Sequence, residues 1–191
     1  MYAAFPDPYC YSGTTVLKNI PGLRDGAPLE RFETAVTAQR AGEPLPPGRL
    51  SIRQYQAVHR HLFRDVYRWA GRFRSVRITK GTSTFCYPEH IKSELHRTFL
   101  ELRRSNYLRG LEAGAFASAA AHFLSEINAI HAFRDGNGRT QLAFMALIGA
   151  QAGHSLKLGR LDSDAFLAAM MPSFQGDEGP LTKQISELIR I

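Results

Sequence analysis

The chain has 191 residues, of which 44% are hydrophobic and 21% charged, and this is the composition of one ordinary globular domain. It contains no run of about 18 apolar residues, so we expect no membrane-spanning helix, and its first residues lack the charged and apolar regions of a signal peptide. The formal net charge of +7 favours anionic ligands, with a general bias of the composition towards Ala, Arg and Gly as the alternative explanation.

The first half of the chain is predicted to contain an irregular arm, two helices and one hairpin. The first 25 residues are rich in Pro, Tyr, Gly and Thr and are interpreted as the arm. One helix is predicted over 29–41, and a second, with Ser51 as its N-cap, continues to residue 66. Residues typical of strands fill 72–87 around a glycine turn and predict one β-hairpin, which must lean on the helices because an isolated hairpin is marginally stable.

Helical patterns fill most of the second half of the chain. The segment 138–152 is apolar on all sides, which predicts a buried helix. The sequence therefore predicts a mostly α fold with one small β-hairpin, divided into an N-terminal arm and helix over 1–49 and a core over 50–191. The helices predicted in this half lie at 88–105, 113–130, 138–152, 162–171 and 181–191.

Residues 131–139 read His-Ala-Phe-Arg-Asp-Gly-Asn-Gly-Arg and join two of the predicted helices. Gly136, Asn137 and Gly138 tolerate left-handed backbone angles, so this turn can direct successive N–H groups towards an anion. At the start of a helix, these groups add to the free N–H groups and the partial positive charge of the helix end. The turn therefore predicts a phosphate site.

The remaining side chains of this loop have chemistry that suits a phosphate site. Arg139 offers a forked donor to phosphate oxygens, and Asp135 is well placed to hold Mg²⁺ beside them. His131 titrates near neutrality and is a candidate general base for a hydroxyl proton. Phe133 is predicted to point into the core and to anchor the loop. An ordinary turn with a capping histidine is the alternative interpretation.

This loop resembles the signature of the Fic (Fido) family, HxFx[D/E]GNGRxxR, at every fixed position through Arg139. The resemblance extends to residues 65–72 before the hairpin and to the hairpin itself at 78–85. Residues 11–19 are similar to the N-terminal arm of bacterial cell-filamentation-type members. The resemblance covers nearly the whole chain and implies a Fido-type helical bundle with a β-hairpin flap.

Most proteins of this family transfer AMP from ATP to a hydroxyl group of another protein. The resemblance therefore implies a protein adenylyltransferase that uses ATP and Mg²⁺. It implies that His131 deprotonates a Ser, Thr or Tyr hydroxyl that attacks the α-phosphate, that Asp135 positions Mg²⁺, and that Arg139 holds the β-phosphate. The nucleotide-binding residues that it implies are Gly136, Asn137, Gly138, Arg139, Lys80 and Gly81.

The resemblance implies that the hairpin is a flap on which the protein substrate docks. An extended segment of the target would pair with the flap edge as an added strand. For Lys80, a solvated turn residue is an equally weighted expectation, and histidines outside the loop, such as His59, are expected to be structural. The target-docking residues implied in the flap are Thr79, Thr82, Ser83 and Thr84.

The chain departs from the family pattern at Leu142, where the signature has a second arginine that reaches the γ-phosphate. The loss of one charge-assisted contact costs about 1.5–3 kcal/mol, or roughly 10- to 100-fold in ATP handling. Two alternatives to the adenylyltransferase therefore remain. One is the transfer of another nucleotide or phosphoryl group, and the other is a weakly active or non-catalytic binding module.

The regulatory [S/T]xxxE[G/N] motif of the family is not evident in the chain. The resemblance then implies either the toxin of a toxin-antitoxin pair, with a small helical antitoxin as partner, or an unregulated enzyme. Direct nucleic-acid binding is not expected, because the basic residues form no dense run interleaved with aromatic residues. Cys10 and Cys86 are interpreted as free thiols, so we expect a cytoplasmic location, with export into a host cell as an effector as the alternative.

Overall fold

The computed structural model describes residues 7–80 and 83–189, with only the backbone at Lys80 and Ser83. Seven α-helices, one short hairpin and three single-turn 3₁₀ helices (Pro88–His90, Asn106–Leu108 and Leu158–Arg160) are the regular elements of this part of the chain. The predicted mostly α fold is confirmed. The helices are α1 (Gly26–Ala41), α2 (Ile52–Phe63), α3 (Ile91–Arg104), α4 (Ala113–Ile130), α5 (Asn137–Ala152), α6 (Ser163–Ser173) and α7 (Gly179–Ile189), and the strands are β1 (Thr79–Lys80) and β2 (Ser83–Thr84).

The first two helices begin where a side chain satisfies free N–H groups of the first turn. Asp25 caps α1 with a hydrogen bond of 3.2 Å, so the helix begins three residues earlier than predicted. Ser51 caps α2 as predicted. This helix ends at Phe63 rather than at Val66, because the Phe63 carbonyl oxygen accepts the Val66 N–H at 3.0 Å and turns the chain.

The hairpin is shorter than the predicted span of 72–87. Its ladder pairs only Thr79 with Thr84 and Lys80 with Ser83. Below these pairs, one further hydrogen bond joins the two legs, from the Phe85 N–H to the carbonyl oxygen of Ile78 at 3.2 Å. The second leg then bonds to the helical core: Cys86 donates its N–H to the carbonyl oxygen of Ala129 at 3.1 Å. The hairpin therefore leans on the end of α4, as the marginal stability of an isolated hairpin requires.

The core is built around α4, which packs against α3, α5 and α7, while α2 packs against α1 and α5. Aromatic side chains from four elements, Tyr55, Phe99, Phe133 and Phe144, meet in its centre. The prediction that 138–152 is buried on all sides is wrong for one side of α5, where Leu142 is only half-buried. That side faces a cleft rather than a packed neighbour.

The N-terminal arm contacts both the turn after α2 and the loop before α5. The Ile20 N–H donates to the carbonyl oxygen of Val66 at 2.8 Å, and the Asp7 carboxylate forms an ion pair of 2.7 Å with Arg134. The division of the chain at residue 49 stays a prediction. Among the described residues, no helix has the length and apolar character that crossing a membrane requires.

Candidate active site

The turn between α4 and α5 depends on two residues with left-handed backbone angles. His131 ends α4 with φ of 48°, and Gly136 precedes α5 with φ of 75°. A β-carbon at Gly136 would lie 2.3 Å from the Phe63 ring, so only glycine fits there. A non-glycine residue at positive φ is uncommon, and its occurrence at His131 indicates that the surroundings impose this conformation.

Asn137 closes this turn from the inside. Its buried side chain accepts the Phe133 N–H at 2.9 Å and donates to the Phe133 carbonyl oxygen at 2.8 Å. Phe133 itself is fully buried against the ring of His59. The side chain of Asn137 is thus engaged within the loop, and any cradle for an anion is formed by the N–H groups of the first turn of α5, which have no partner inside the helix.

The His131 imidazole lies at one end of the cleft and is stacked on Phe85. The two ring centroids are 3.8 Å apart and the rings are nearly parallel, at 20°. Phe174 at the end of α6 packs edge-on against Phe85, with centroids 5.4 Å apart. Because Phe85 follows β2 directly, this stack connects the candidate base to the flap.

Arg74 is a part of this site that the sequence did not reveal. Its side chain is 3% exposed and bonds to four backbone carbonyl oxygens, all at 2.5–3.2 Å. Two acceptors, Ile130 and His131, lie at the end of α4, and the other two, Val76 and Cys86, lie on the two legs of the hairpin. Burial lowers the pKa of this guanidinium.

We call these four hydrogen bonds of the Arg74 side chain the Arg74 clamp. The clamp explains both the conformation of His131 and the shortness of the hairpin. It fixes the carbonyl group of His131 and, through its own N–H, that of Ala132 at 3.0 Å. It also occupies the carbonyl oxygen of Val76, which the next pair of a longer β-ladder would use. A positive charge at the C-terminal end of α4 is favourable because the helix dipole is negative there.

His59 holds the same loop from the side of α2. Its Nδ1 accepts the Gly71 N–H at 2.8 Å, so its Nε2 carries the proton and donates to the carbonyl oxygen of Asp135 at 3.0 Å. The ring is stacked between Phe63 and Phe133. Burial lowers the pKa of His59 to about 4, which keeps it neutral at physiological pH. These contacts are structural, as expected. Through the hydrogen bond of its Nε2, His59 holds the backbone of Asp135, the candidate metal ligand.

Asp135 and Arg139 lie on the side of the loop that faces α1. The Asp135 carboxylate accepts the N–H of Gly136 at 2.5 Å, and its pKa is raised by burial and by the nearby Glu33 carboxylate. Arg139 forms an ion pair with Glu33 and donates to Thr37 at 3.0 Å. Its side chain is thus directed towards α1, and its predicted role as a phosphate ligand stays a prediction.

The residues present fit a magnesium ion as one ligand among phosphate oxygens rather than as a complete protein cage. Within residues 7–80 and 83–189, no group of three metal-binding side chains occurs. Asp135 supplies one half-buried carboxylate beside the start of α5, and Mg²⁺ is commonly held by one or two carboxylates plus substrate phosphates. A cation there would also relieve the repulsion between Asp135 and Glu33.

A cleft of about 910 Å³ separates α5 from α6 and brings His131, Gly138 and Leu142 to one surface. The sequence did not reveal that residues of α6 line this cleft. An apolar helix face has the same sequence pattern whether it packs against another element or lines a cleft. No lysine or arginine of the described chain lines the cleft. Its remaining lining residues are Phe85, Leu124, Asn128, Gln141, Leu161, Ser163, Phe166, Leu167, Met170, Met171, Phe174 and Gln175.

The structure describes the flap in part. Thr79 and Thr84 are exposed and face each other across the ladder, and Lys80 pairs with Ser83 through the backbone. Gly81 and Thr82 lie outside the described residues. The docking and nucleotide-binding roles of these six positions therefore stay predictions.

Comparison with known proteins gives consistent results. Residues 49–148 match the model of the Fic/DOC family. The chain is 47% identical over 189 residues to the probable protein adenylyltransferase y4lH of Sinorhizobium fredii, with 98% of both chains covered. It is 35% identical to the protein adenylyltransferase VbhT of Bartonella schoenbuchensis over 179 residues, which are 92% of this chain and 37% of VbhT.

Solved structures agree in fold. The crystal structure of BepC, a VirB-translocated effector protein of Bartonella tribocorum with bound AMPPNP, superposes with a TM-score of 0.86. The two chains are 28% identical, and the match covers 94% of this chain and 95% of the other.

Proposed function

Because the chain belongs to the Fic/DOC family, we propose that it is a protein adenylyltransferase, which transfers AMP from ATP to a Ser, Thr or Tyr hydroxyl of another protein. Relatives over almost the full length are named probable protein adenylyltransferases, which supports a nucleotidyltransferase. The observation that carries the proposal is the meeting of the His131 imidazole and the first turn of α5 in one cleft. A base thus lies beside a cradle for anions.

In the proposed reaction, His131 removes the proton of the target hydroxyl as its oxygen attacks the α-phosphorus of ATP. The bond to the bridging oxygen breaks, and pyrophosphate leaves. The N–H groups of Gly138 and its neighbours at the start of α5 would stabilise the negative charge that develops on the phosphoryl oxygens. The stack on Phe85 and the carbonyl clamp of Arg74 orient the imidazole for this step.

Asp135 is the residue that would hold Mg²⁺, which, when bound, neutralises charge on the phosphates. The hydrogen bond from His59 to the Asp135 backbone holds this ligand in position. Arg139 would reach a phosphate only by leaving Glu33, and its ion pair with Glu33 is 40% exposed on the arginine side. An incoming phosphate could therefore reach Arg139 from solvent and replace Glu33 as its partner.

The flap is the proposed docking site for the target. In the part of the chain that the structure describes, β1 and β2 pair only with each other, so their outer sides would be available for an added strand. The stack of Phe85 on His131 would bring a hydroxyl on such a strand near the base.

Leu142 supports a second candidate, which is the use of a donor other than ATP. It lies in a cleft whose described lining has no lysine or arginine, so a terminal phosphate gains little there. Leu142→Arg should raise self-modification by ATP about 10- to 100-fold. Measurement with α-labelled ATP tests this, with Leu147→Arg on the same helix as control. Unchanged labelling and unchanged ATP affinity would contradict the role of position 142.

We further propose a small helical inhibitor protein as a partner, on the grounds that the family's inhibitory motif is not evident in this chain. The protein would then act in the cytoplasm of the bacterium that makes it. Export into a host cell is the alternative, because BepC is described as a translocated effector. Copurification with a small protein from the source cell distinguishes a regulated toxin from an unregulated enzyme.

The main test is labelling of proteins in a cell lysate with ATP labelled at the α or the γ position. Label that appears only when the protein is added is expected from the α position alone, since AMP and not the terminal phosphate is transferred. Label from the γ position that is present without the protein belongs to kinases of the lysate. His131→Ala should reduce the labelling about 100- to 10,000-fold, whereas His96→Ala at the exposed face of α3 should leave it unchanged. Equal labelling from both positions would indicate another nucleotide chemistry, and His131→Ala at the wild-type rate would exclude this base.

A further inference from the structure

The positive charge of this protein is concentrated in one segment, residues 49–77. Eight of the 24 basic residues and one of the 17 acidic residues lie there, which leaves sixteen of each sign in the rest of the chain. The segment carries a net charge of +7, equal to that of the whole protein. It comprises α2, the turn after it and the approach to the flap.

Within this segment, Arg53, Arg60 and Arg64 form a row along the solvent side of α2, which we call the arginine row. At about 100° per residue, the three fall within roughly 40° around the helix and span about 16 Å along its axis. All three are exposed, while Tyr55 and Val58 on the opposite side are fully buried. The burial of the apolar side thus fixes the row towards solvent.

Two more exposed arginines, Arg68 and Arg72, lie in the turn that follows α2. This turn folds back along the helix, because the Gln56 side chain donates to the carbonyl oxygen of Gly71 at 3.0 Å. A β-carbon at Gly71 would lie only 2.9 Å from the Arg60 β-carbon. The turn therefore brings further positive charge alongside the row.

These five arginines have no carboxylate partner within the described chain. Asp65, the acidic residue of the segment, is bonded to Arg40 at 2.5 Å. On α3, by contrast, Arg97 contacts three glutamates. Like charges at helical spacing repel one another, so the row gains stability when an external anion binds.

We propose that the arginine row binds an acidic segment of a partner protein. Its spacings of seven and four residues match a helix that presents carboxylates at the same spacings, and each guanidinium can bond to a carboxylate with two N–H groups. Nucleic acid is disfavoured because the aromatic rings of α2, Tyr55 and Phe63, are buried and offer no surface for base stacking. Membrane insertion is disfavoured because the exposed side of α2 lacks large apolar residues.

The test measures binding, so it does not depend on nucleotide transfer. Three labelled probes are compared by fluorescence anisotropy: a helical peptide with glutamates four and seven residues apart on one side, a peptide of the same composition with scattered glutamates, and a 20-base-pair DNA duplex. The variant is Arg53→Gln, Arg60→Gln and Arg64→Gln combined. The control combines Arg103→Gln, Arg104→Gln and Arg109→Gln, which removes the same charge from exposed positions elsewhere.

We expect the peptide with aligned glutamates to bind more tightly than the scattered one and to weaken as salt rises from 50 to 200 mM. Loss of the row should weaken this binding about tenfold, and the control by less than twofold. Equal weakening by the two variants would show that net charge alone matters and would overturn the proposal. Tighter binding of the duplex, or no binding of the aligned peptide, would overturn it as well.

Discussion

The end of α4 and the start of α5 meet in one turn, yet different forces hold them. At the end of α4, His131 is fixed by carbonyl groups around the buried Arg74 and by stacking on Phe85. At the start of α5, Arg139 is held by an ion pair with Glu33, near the surface. Buried hydrogen bonds are insensitive to salt, whereas an exposed ion pair is screened by it. The candidate base is thus held by buried contacts, and the candidate phosphate ligand by a partly exposed ion pair.

Arg74→Ala removes the hydrogen bonds that hold the end of α4 and should have the largest effect on stability. It leaves four carbonyl oxygens without a donor in a buried space, so the free energy of unfolding should fall by about 3–5 kcal/mol. Urea unfolding measures this loss. Arg97→Ala, which removes ion pairs from the exposed face of α3, should cost about 1 kcal/mol or less. Equal losses in the two variants would mean that Arg74 has no special part in the fold.

Acid tests the contact of His59 with the same loop. The pKa of His59 is about 4 in the folded protein, below the ordinary 6.5, so the unfolded chain binds a proton that the folded one excludes. The contribution of neutral His59 to the free energy of unfolding is complete above pH 6.5. It is lost as pH falls towards 4, and the loss is at most about 3 kcal/mol. Urea unfolding at pH 7, 6, 5 and 4.5 measures the slope.

His59→Gln identifies the share of this slope that belongs to His59. The variant should lose less stability than the wild type between pH 6.5 and 4.5, while His96→Gln on the exposed side of α3 should follow the wild type. A His59→Gln protein with the wild-type slope would assign the acid sensitivity to other groups.

Glu33→Gln removes the ion pair that holds Arg139 at the start of α5 and should have the smallest effect on stability. We expect a loss of about 0.5–1 kcal/mol at low salt and a smaller loss in 0.5 M NaCl, because the pair with Arg139 is partly exposed. Glu30→Gln, an exposed neighbour on α1, is the control and should change nothing. A loss that does not depend on salt would assign the contribution of Glu33 to its hydrogen bond with the Tyr67 hydroxyl rather than to its ion pair with Arg139.

Local patterns predicted some elements closely and others only in outline. The predicted helix at 113–130 coincides with α4, since a continuous apolar stripe and a following turn define both ends. The hairpin was predicted in the right place but too long, because the Arg74 side chain takes the carbonyl oxygen of Val76 that the next ladder pair would use. No pattern near residue 74 indicates that its partners lie 56 and 57 residues away.

The sequence by itself determined the helical class, the capped start of α2, and the loop that carries a base, a carboxylate and a glycine turn at fixed spacing. These features are local, since each depends on residues within one or two helical turns. The tertiary structure decided which groups serve that loop: the clamp of Arg74, the support of His59, and the ion pair that holds Arg139. It also decided that α2 turns Arg53, Arg60 and Arg64 to solvent in one row. These outcomes require distant segments to pack, and packing is decided by the burial of the whole core.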